Sequence, residues 1–332
     1  MLKDLLKKLV SGGELTAEEG FAMTAAIADG ESSCAAAAVL TAMSVRGESA
    51  PALTGCVRYL REHMEAVAAP GPCADIVGTG GDGGNSFNIS TAAALVAAGA
   101  GVTVAKHGNR AVSSRCGAAD VLETLGVDLA QSPEQLSACL QKHHIAFLFA
   151  RKMHPAMAKV APLRQELGIR TIFNLAGPLA NPARAEYMVA GVCRDALLAV
   201  FAETLRELGV KRALVVHSAD GLDEISSLAV THAALLDGGE IRDVEIDPAA
   251  LLPAELRSGT LAGGDREENA RILEDVLAGR DRSAKRGAVL LNAAALCMTF
   301  GLGNSIADGI PLAAKSIDSG AAAAKLAELT RK

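Results

Sequence analysis

Leu2, Leu5, Leu6 and Leu9 recur at the spacing that lines one face of a helix, and Gly12-Gly13 ends the run. Thr16 followed by Glu19 has the form of a capping box, opening a second helix through Phe21, Met23 and Ala25. A third helix is predicted over 33–43. A fourth follows Pro51, a residue that suits the first helical turn. No strand pattern precedes Val67-Ala68-Ala69-Pro70-Gly71-Pro72, a stretch that reads as a hinge or boundary. Beyond it the pattern changes. Short apolar runs at 75–77, 102–106, 145–149, 187–191 and 211–217 alternate with helical stretches at 91–100, 117–125, 133–143, 155–167 and 195–208. Further helices are predicted over 266–277, 283–300 and 312–329.

Strand–helix alternation of this kind implies a mostly parallel central sheet flanked by helices. The expected fold is therefore α/β. A small all-helical N-terminal domain, residues 1–70 with helices near 155–185 joining it, is hinged to a larger domain, residues 71–332. Open parallel sheets bind ligands at the carboxyl ends of their strands. The segments just after the strands are where chemistry is to be sought.

Composition narrows the field. The chain has 332 residues, enough for two domains with a core that needs no disulfide or structural metal. It has no Trp, two Tyr and seven Phe, so the core must be packed from small aliphatic side chains. A net charge of −6 argues against a general binder of nucleic acid or anionic membranes. The seven cysteines are scattered and never spaced as CxxC, the usage of reduced thiols in a cytosolic protein. The N-terminal segment has no apolar run long enough for a signal peptide or membrane span. A soluble, cytoplasmic protein is expected.

Five of the seven residues in Gly78-Thr79-Gly80-Gly81-Asp82-Gly83-Gly84 are glycine, directly after the first predicted strand. Packing at a strand end needs no such density, whereas glycine lets successive N–H groups turn inward as an anion nest. Gly78, Gly80 and Gly83 also match G-x-G-x-x-G, which raises a dinucleotide site. Against it, Ser86-Phe87-Asn88 separates the glycines from the next helix, and no ribose-binding carboxylate follows at the required distance. Asp82 would also put a negative charge into the pyrophosphate loop. Asn88-Ile89-Ser90-Thr91 then opens a helix whose N-terminus favours phosphate, although Ser90 is equally an ordinary N-cap.

Lys106-His107-Gly108-Asn109-Arg110-Ala111-Val112-Ser113-Ser114 crowds two cations, an imidazole, an amide and two hydroxyls onto one loop. Lys offers phosphate a point charge and Arg a bidentate fork. In an acidic protein this island marks a site for a polyanionic substrate. Asp220-Gly221-Leu222-Asp223-Glu224 follows the strand at 211–217. Acids in a loop are most often merely solvated, but beside phosphates one or two carboxylates suit Mg²⁺. EF-hand spacing is absent.

Together with Arg170 to Pro182 (RTIFNLAGPLANP), these segments resemble the signature segments of the anthranilate phosphoribosyltransferase family, in order and spacing and over nearly the whole chain. The resemblance implies the fold shared with pyrimidine nucleoside phosphorylases, assembled as a homodimer through the helical domain. It implies transfer of a phosphoribosyl group from 5-phosphoribosyl-1-pyrophosphate to anthranilate, a step of tryptophan synthesis. Carried over residue by residue, contacts to the phosphoribosyl donor are implied at Gly78, Gly81, Asp82, Ser86, Asn88, Ile89, Ser90, Thr91, Lys106, His107, Gly108, Asn109, Arg110, Ala111, Val112, Ser113, Ser114 and Ala118. Ser90, Asp223 and Glu224 match magnesium positions. Gly78, Asn109 and Arg164 match anthranilate positions, with His107 nearby. Four departures stand out: Ala118 and Cys116 where serines are frequent, Ser86 for a frequent threonine, and Arg151 for a usual proline.

Displacing pyrophosphate from the ribose builds negative charge on the leaving group, so the chemical task is electrostatic. The acceptor is an arylamine, neutral at pH 7, which needs orientation more than a strong base. By helical pattern alone Arg164 would be a surface residue; the resemblance gives it the anthranilate carboxylate. His63, His143, His144, His154, His217 and His232 have no metal spacing and read as structural or surface. Two alternatives remain: a pyrimidine nucleoside phosphorylase, which would not require the acid pair, and a non-catalytic relative that binds nucleic acid. The net charge and the intact loops speak against the second.

Overall fold

The computed structural model describes residues 1–81, 83, 85–111 and 115–330. Four helices come first: α1 (Leu2–Val10), α2 (Ala17–Ala28), α3 (Ser33–Arg46) and α4 (Ala50–Glu62). The Thr16 box closes as expected, the Glu19 N–H donating to Thr16 Oγ1 at 3.2 Å and the Thr16 N–H to Glu19 Oε2 at 2.8 Å. There follow β1 (Ala74–Gly78), α5 (Ile89–Gly99), β2 (Val104–Gly108), α6 (Ala118–Thr124), α7 (Pro133–His143) and β3 (Ile145–Phe149). Then come α8 (Ala150–Met153), α9 (Pro155–Leu167), α10 (Ile172–Leu179), β4 (Tyr187–Gly191), α11 (Leu197–Glu207) and β5 (Arg212–Ser218). A hairpin, β6 (Thr231–Asp237) and β7 (Glu240–Ile246), precedes α12 (Pro248–Leu251), α13 (Arg266–Leu277), α14 (Ala284–Phe300), α15 (Ile306–Asp318) and α16 (Ala321–Thr330).

The seven strands form one sheet in the order β3-β2-β1-β4-β5-β6-β7. The first five run parallel, and β6 and β7 are antiparallel. Alternate strand residues feed two cores, one on each face, as parallel sheets require. Val77, Ala105, Leu148, Met188 and Val215 pack with α1–α4, α10 and α11. Ile76, Val104, Phe147, Val189 and Leu214 pack with α5, α13 and α14. The latter helices are built largely of alanine: Ala92 to Ala94 and Ala97 of α5 are all buried, so the small side chains set the close packing the composition called for.

Two elements depart from the sequence expectation. The β6–β7 hairpin went unpredicted because β7 lies at the sheet edge and carries Glu240, Arg242, Asp243 and Glu245, which gives it no apolar run. Its turn is Gly238-Gly239, with φ of +58° and +90°, the conformation a two-residue hairpin demands. The helix expected over 312–329 is two helices, broken at Ser319-Gly320, where Gly320 has φ +81°. Residues 172–179 form α10, in spite of Pro178 inside it.

Candidate active site

The strand ends near the middle of the sheet determine what can stand above them. A Cβ at Gly78, the last residue of β1, would lie 2.3 Å from Asp223 Oδ2. One at Gly191, the last residue of β4, would lie 1.6 Å from the Asp223 backbone oxygen. Both positions therefore need glycine because Asp223 is seated over them. The carboxylate in turn accepts the Gly80 N–H at 2.7 Å, tying the acid turn to the glycine loop. Thr79 fastens the loop to β4, donating its N–H to Gly191 O at 3.0 Å and accepting the Cys193 N–H on Oγ1 at 3.1 Å. Gly80 and Gly81 have φ of +60° and +76°, which turns this backbone as an anion nest requires. Asp82 lies outside the described residues.

Glu224 reaches the neighbouring helix, its Oε1 accepting the Ser90 N–H at 3.2 Å at the start of α5. Helix α5 begins at Ile89, two residues before the expected start, so Ser90 and Thr91 sit in its first turn. Ile89 itself is core, and Thr91 Oγ1 is buried without a partner among the described residues. Burial and the charge of Asp223 push the Glu224 carboxyl up to about 8, against the pull of Lys106 and the Ser90 bond. Lys106 is only 4% exposed. Burial lowers its pKa, while Asp75, Glu224 and Asp223 hold it up. Glycine loop, helix terminus, acid pair and Lys106 thus meet at one edge.

Asp75 lies below them on β1, fully buried. Burial pushes its carboxyl up to about 6, and the charge of Lys106 and the donors Asn181 and His107 resist that rise. Asn181 Nδ2 donates to Asp75 Oδ2 at 2.7 Å and to Ala105 O at 2.8 Å; the His107 N–H donates to Asp75 Oδ1 at 3.1 Å. His107 is buried and held well below its ordinary pKa by burial first, then by His154 and Lys106, so it is neutral. Its ring meets that of His154 edge to face, centroids 5.1 Å apart. His154, which the sequence leaves as structural or surface, is thus part of the wall beside His107.

The rest of the loop after β2 is organised by α6. Asp120 Oδ2 accepts the N–H groups of Ala111 and Gly117, both at 2.9 Å, closing the loop at its two ends. Asn109 O accepts the Ala119 N–H at 3.1 Å, and Gly108 packs against Phe147. The Arg110 guanidinium turns to α6, pairing with Asp120 at 2.9 Å and Glu123 at 2.7 Å, above the Phe149 ring. The fork that the sequence offered to phosphate is held by two carboxylates here. Val112, Ser113 and Ser114 lie outside the described residues. Ala118 is the first residue of α6. Ser86 bridges to Ala262. Asn88 donates from Nδ2 to Cys116 O at 3.2 Å and accepts from Asn269 Nδ2 at 3.1 Å. Its side chain joins these loops, and its backbone opens α5.

Arg164 sits in the last turn of α9, half-buried. Burial lowers its pKa and the nearby Arg170 lowers it further, while Cys56 opposes. It pairs with no carboxylate among the described residues, which leaves it free to receive one from a ligand. Four residues with clear roles carried no role in the sequence reading: Asp75, Arg170, Asn181 and Asn269. Arg170 and Asn181 lie inside the quoted 170–182 segment, which was the available signal.

Comparison with known proteins agrees with this fold. A family model described as "Glycosyl transferase family, helical bundle domain" matches residues 3–64. Another, "Glycosyl transferase family, a/b domain", matches residues 70–323. An anthranilate phosphoribosyltransferase of Rubrobacter xylanophilus is 46% identical over 332 residues, 100% of this chain and 97% of that protein. One of Thermomicrobium roseum is 48% identical over 335 aligned positions, 99% and 96% of the two chains. Among solved structures, the enzyme of that name from Thermus thermophilus superposes with a TM-score of 0.89 at 42% identity, covering 99% of this chain and 100% of that one. The Saccharomyces cerevisiae enzyme in complex with PRPP and Mg superposes with a TM-score of 0.86 at 28% identity, covering 99% and 96%.

Proposed function

This chain belongs to the anthranilate phosphoribosyltransferase family, and we infer that it transfers the phosphoribosyl group of 5-phosphoribosyl-1-pyrophosphate to anthranilate. The products are N-(5-phosphoribosyl)anthranilate and pyrophosphate, within tryptophan biosynthesis. One observation carries the reading: the Asp223–Gly80 and Glu224–Ser90 bonds join the acid pair to both the glycine loop and the N-terminus of α5, with Lys106 beside them.

The chemistry of that edge suits a departing pyrophosphate. Backbone N–H groups of Gly80 and Gly81, the positive end of α5 and the Lys106 ammonium supply preorganised positive potential where negative charge develops. The hard oxygens of Asp223, Glu224 and Ser90 fit Mg²⁺, and a cation there would favour the ionised form of Glu224, which burial first and then the charge of Asp223 disfavour. Those three residues would hold the ion, which when bound neutralises pyrophosphate charge. Arg164 would receive the anthranilate carboxylate, with Gly78, Asn109 and neutral His107 framing the amine. Orientation of an uncharged arylamine toward the ribose then serves in place of a strong base.

The reading extends to two units, residues 1–70 with helices near 155–185 and residues 71–332, closing about the 67–72 segment to exclude water. A homodimer through α1–α4 rests on the family resemblance, and a cytoplasmic location on the scattered cysteines that are never spaced as CxxC. No helix among the described residues is long and apolar enough to cross a membrane. The test is loss of anthranilate fluorescence on mixing with 5-phosphoribosyl-1-pyrophosphate, with and without Mg²⁺. Mg²⁺-dependent consumption is expected. Phosphorolysis of thymidine or uridine without Mg²⁺, and no consumption of anthranilate, would overturn the reading.

A further inference from the structure

We propose that Arg170 is a positioning residue that makes the grip on the phosphoribosyl donor and the grip on the carboxylated acceptor depend on each other. Its backbone belongs to one side of the molecule and its guanidinium to the other. The Arg170 carbonyl accepts Ser44 Oγ of α3 at 3.1 Å. Its side chain crosses to the glycine loop, Nη2 donating to Thr79 O at 3.1 Å. A Cβ at Gly81 would lie 1.7 Å from Arg170 Nη1. The guanidinium therefore lies on the bare face of Gly81, and any side chain there would evict it. Since the Thr79 N–H and Oγ1 are already fastened to Gly191 and Cys193, Arg170 holds the remaining polar group of that residue and so completes the restraint on the loop.

The other end of the argument is charge. The charge of Arg170 weighs against the positive form of Arg164, and neither pairs with a carboxylate at salt-bridge distance among the described residues. Glu48, buried on the α3–α4 connection, has its carboxyl pushed up by burial, and Arg194 at 3.5 Å and Arg170 oppose that rise. An acceptor carboxylate arriving at Arg164 relieves the repulsion and favours the arrangement in which Arg170 rests on Thr79 and Gly81. Linkage makes the effect reciprocal: a donor that orders the glycine loop must favour the acceptor by the same factor.

This rests on the assignment of the donor to the glycine loop and of the acceptor carboxylate to Arg164. The experiment is bisubstrate steady-state kinetics on the full chain, extracting the factor by which each substrate changes the apparent dissociation constant of the other. The parent is expected to show mutual strengthening of about fivefold or more, the lower range of measured site–site couplings. In Arg170→Gln the factor should fall to about one, with both KM values raised and kcat changed far less. Arg170→Lys keeps the repulsion but lacks the fork on Thr79, so it should restore only part of the coupling. Ser44→Ala removes the α3 tether away from either substrate; it should weaken the coupling with kcat unchanged, and it serves as the readout if Arg170→Gln fails to fold. Coupling in Arg170→Gln or Ser44→Ala equal to the parent's overturns the proposal. An inert parent overturns the assignment of the cleft, and the proposal with it.

Discussion

Gly191→Ala isolates what the strand end contributes. The added Cβ would stand 1.6 Å from the Asp223 backbone oxygen and 2.5 Å from its carbonyl carbon, both backbone atoms with no rotamer to escape through. To reach the 3.0 Å floor of real Cβ contacts, the two chains must part by about 1.4 Å. Overpacking of this kind costs about 1–3 kcal/mol. A shift of that size also pulls Asp223 Oδ2 away from the Gly80 N–H, now 2.7 Å distant, and loss of a hydrogen bond to a charged group adds about 1.5–3 kcal/mol. The sum, about 2.5–6 kcal/mol, corresponds to a fall in Tm of about 4–9 °C for a chain of this size. Because a misplacement of about 1 Å costs roughly a hundredfold in rate, kcat/KM should drop by that order, with a higher Mg²⁺ requirement. Scanning calorimetry and an Mg²⁺ titration of turnover read both effects. Gly177→Ala is the control, since nothing lies within 4 Å of its Cβ direction and alanine favours the helix. If Gly191→Ala melts and turns over like that control, the seating of Asp223 is not what makes the strand end glycine.

Other consequences follow from the same geometry. Glu224 has its folded pKa raised to about 8, so the native state keeps a proton that the unfolded chain releases at lower pH. In metal-free buffer stability should therefore decline as pH rises from about 4.5 to about 8; Glu224→Gln should flatten that part of the Tm profile and abolish Mg²⁺-dependent turnover. Arg164→Ala should raise the anthranilate KM about tenfold or more, the loss of a charge-assisted contact, while the donor KM changes less; equal changes in both would count against the assignment. Asn269→Ala leaves Asn88 Oδ1 and the Gly264 N–H without their partner. It should lower Tm by the equivalent of about 1–3 kcal/mol and raise chiefly the donor KM, which saturation curves for each substrate would separate.

The fold was legible where burial is uniform along the chain. The parallel strands are short apolar runs because both sheet faces are covered, and glycine marks the ends of β1, β2 and β4. Strand β7 was not, because an edge strand turns Glu240, Arg242 and Asp243 to solvent and so has neither an apolar run nor a clean alternation. The site divides in the same way. Loops that meet a ligand through their own backbone announce themselves by local composition, as at 78–84 and 106–114. Residues that act on those loops from a distance do not. Arg170 is 91 positions from Thr79, Asn181 is 106 from Asp75, and Asn269 is 181 from Asn88; no local pattern encodes such a pairing. Arg110 shows the converse case, since a cation in a basic run gives no sign of the carboxylates Asp120 and Glu123 with which α6 pairs it.

The buried acid below the site shows why such remote residues matter to the chemistry. A phosphate needs Lys106 protonated, yet burial alone works against its charge. Asp75 supplies a compensating negative charge, but only if it stays ionised in the same dry interior, where burial pushes it up to about 6. The donors that hold it there are the Asn181 amide and the backbone N–H groups of His107 and Ile76, all themselves neutral. Asn181 therefore supports the Lys106 ammonium through one intermediate carboxylate, while its second bond, to Ala105 O, fixes the strand that carries the lysine. Positive charge at the carboxyl edge of the sheet is thus sustained by a neutral amide beneath it. That arrangement keeps a cation ready for an anionic substrate without adding a further carboxylate to Asp223 and Glu224 at the edge where the substrate's phosphates must go.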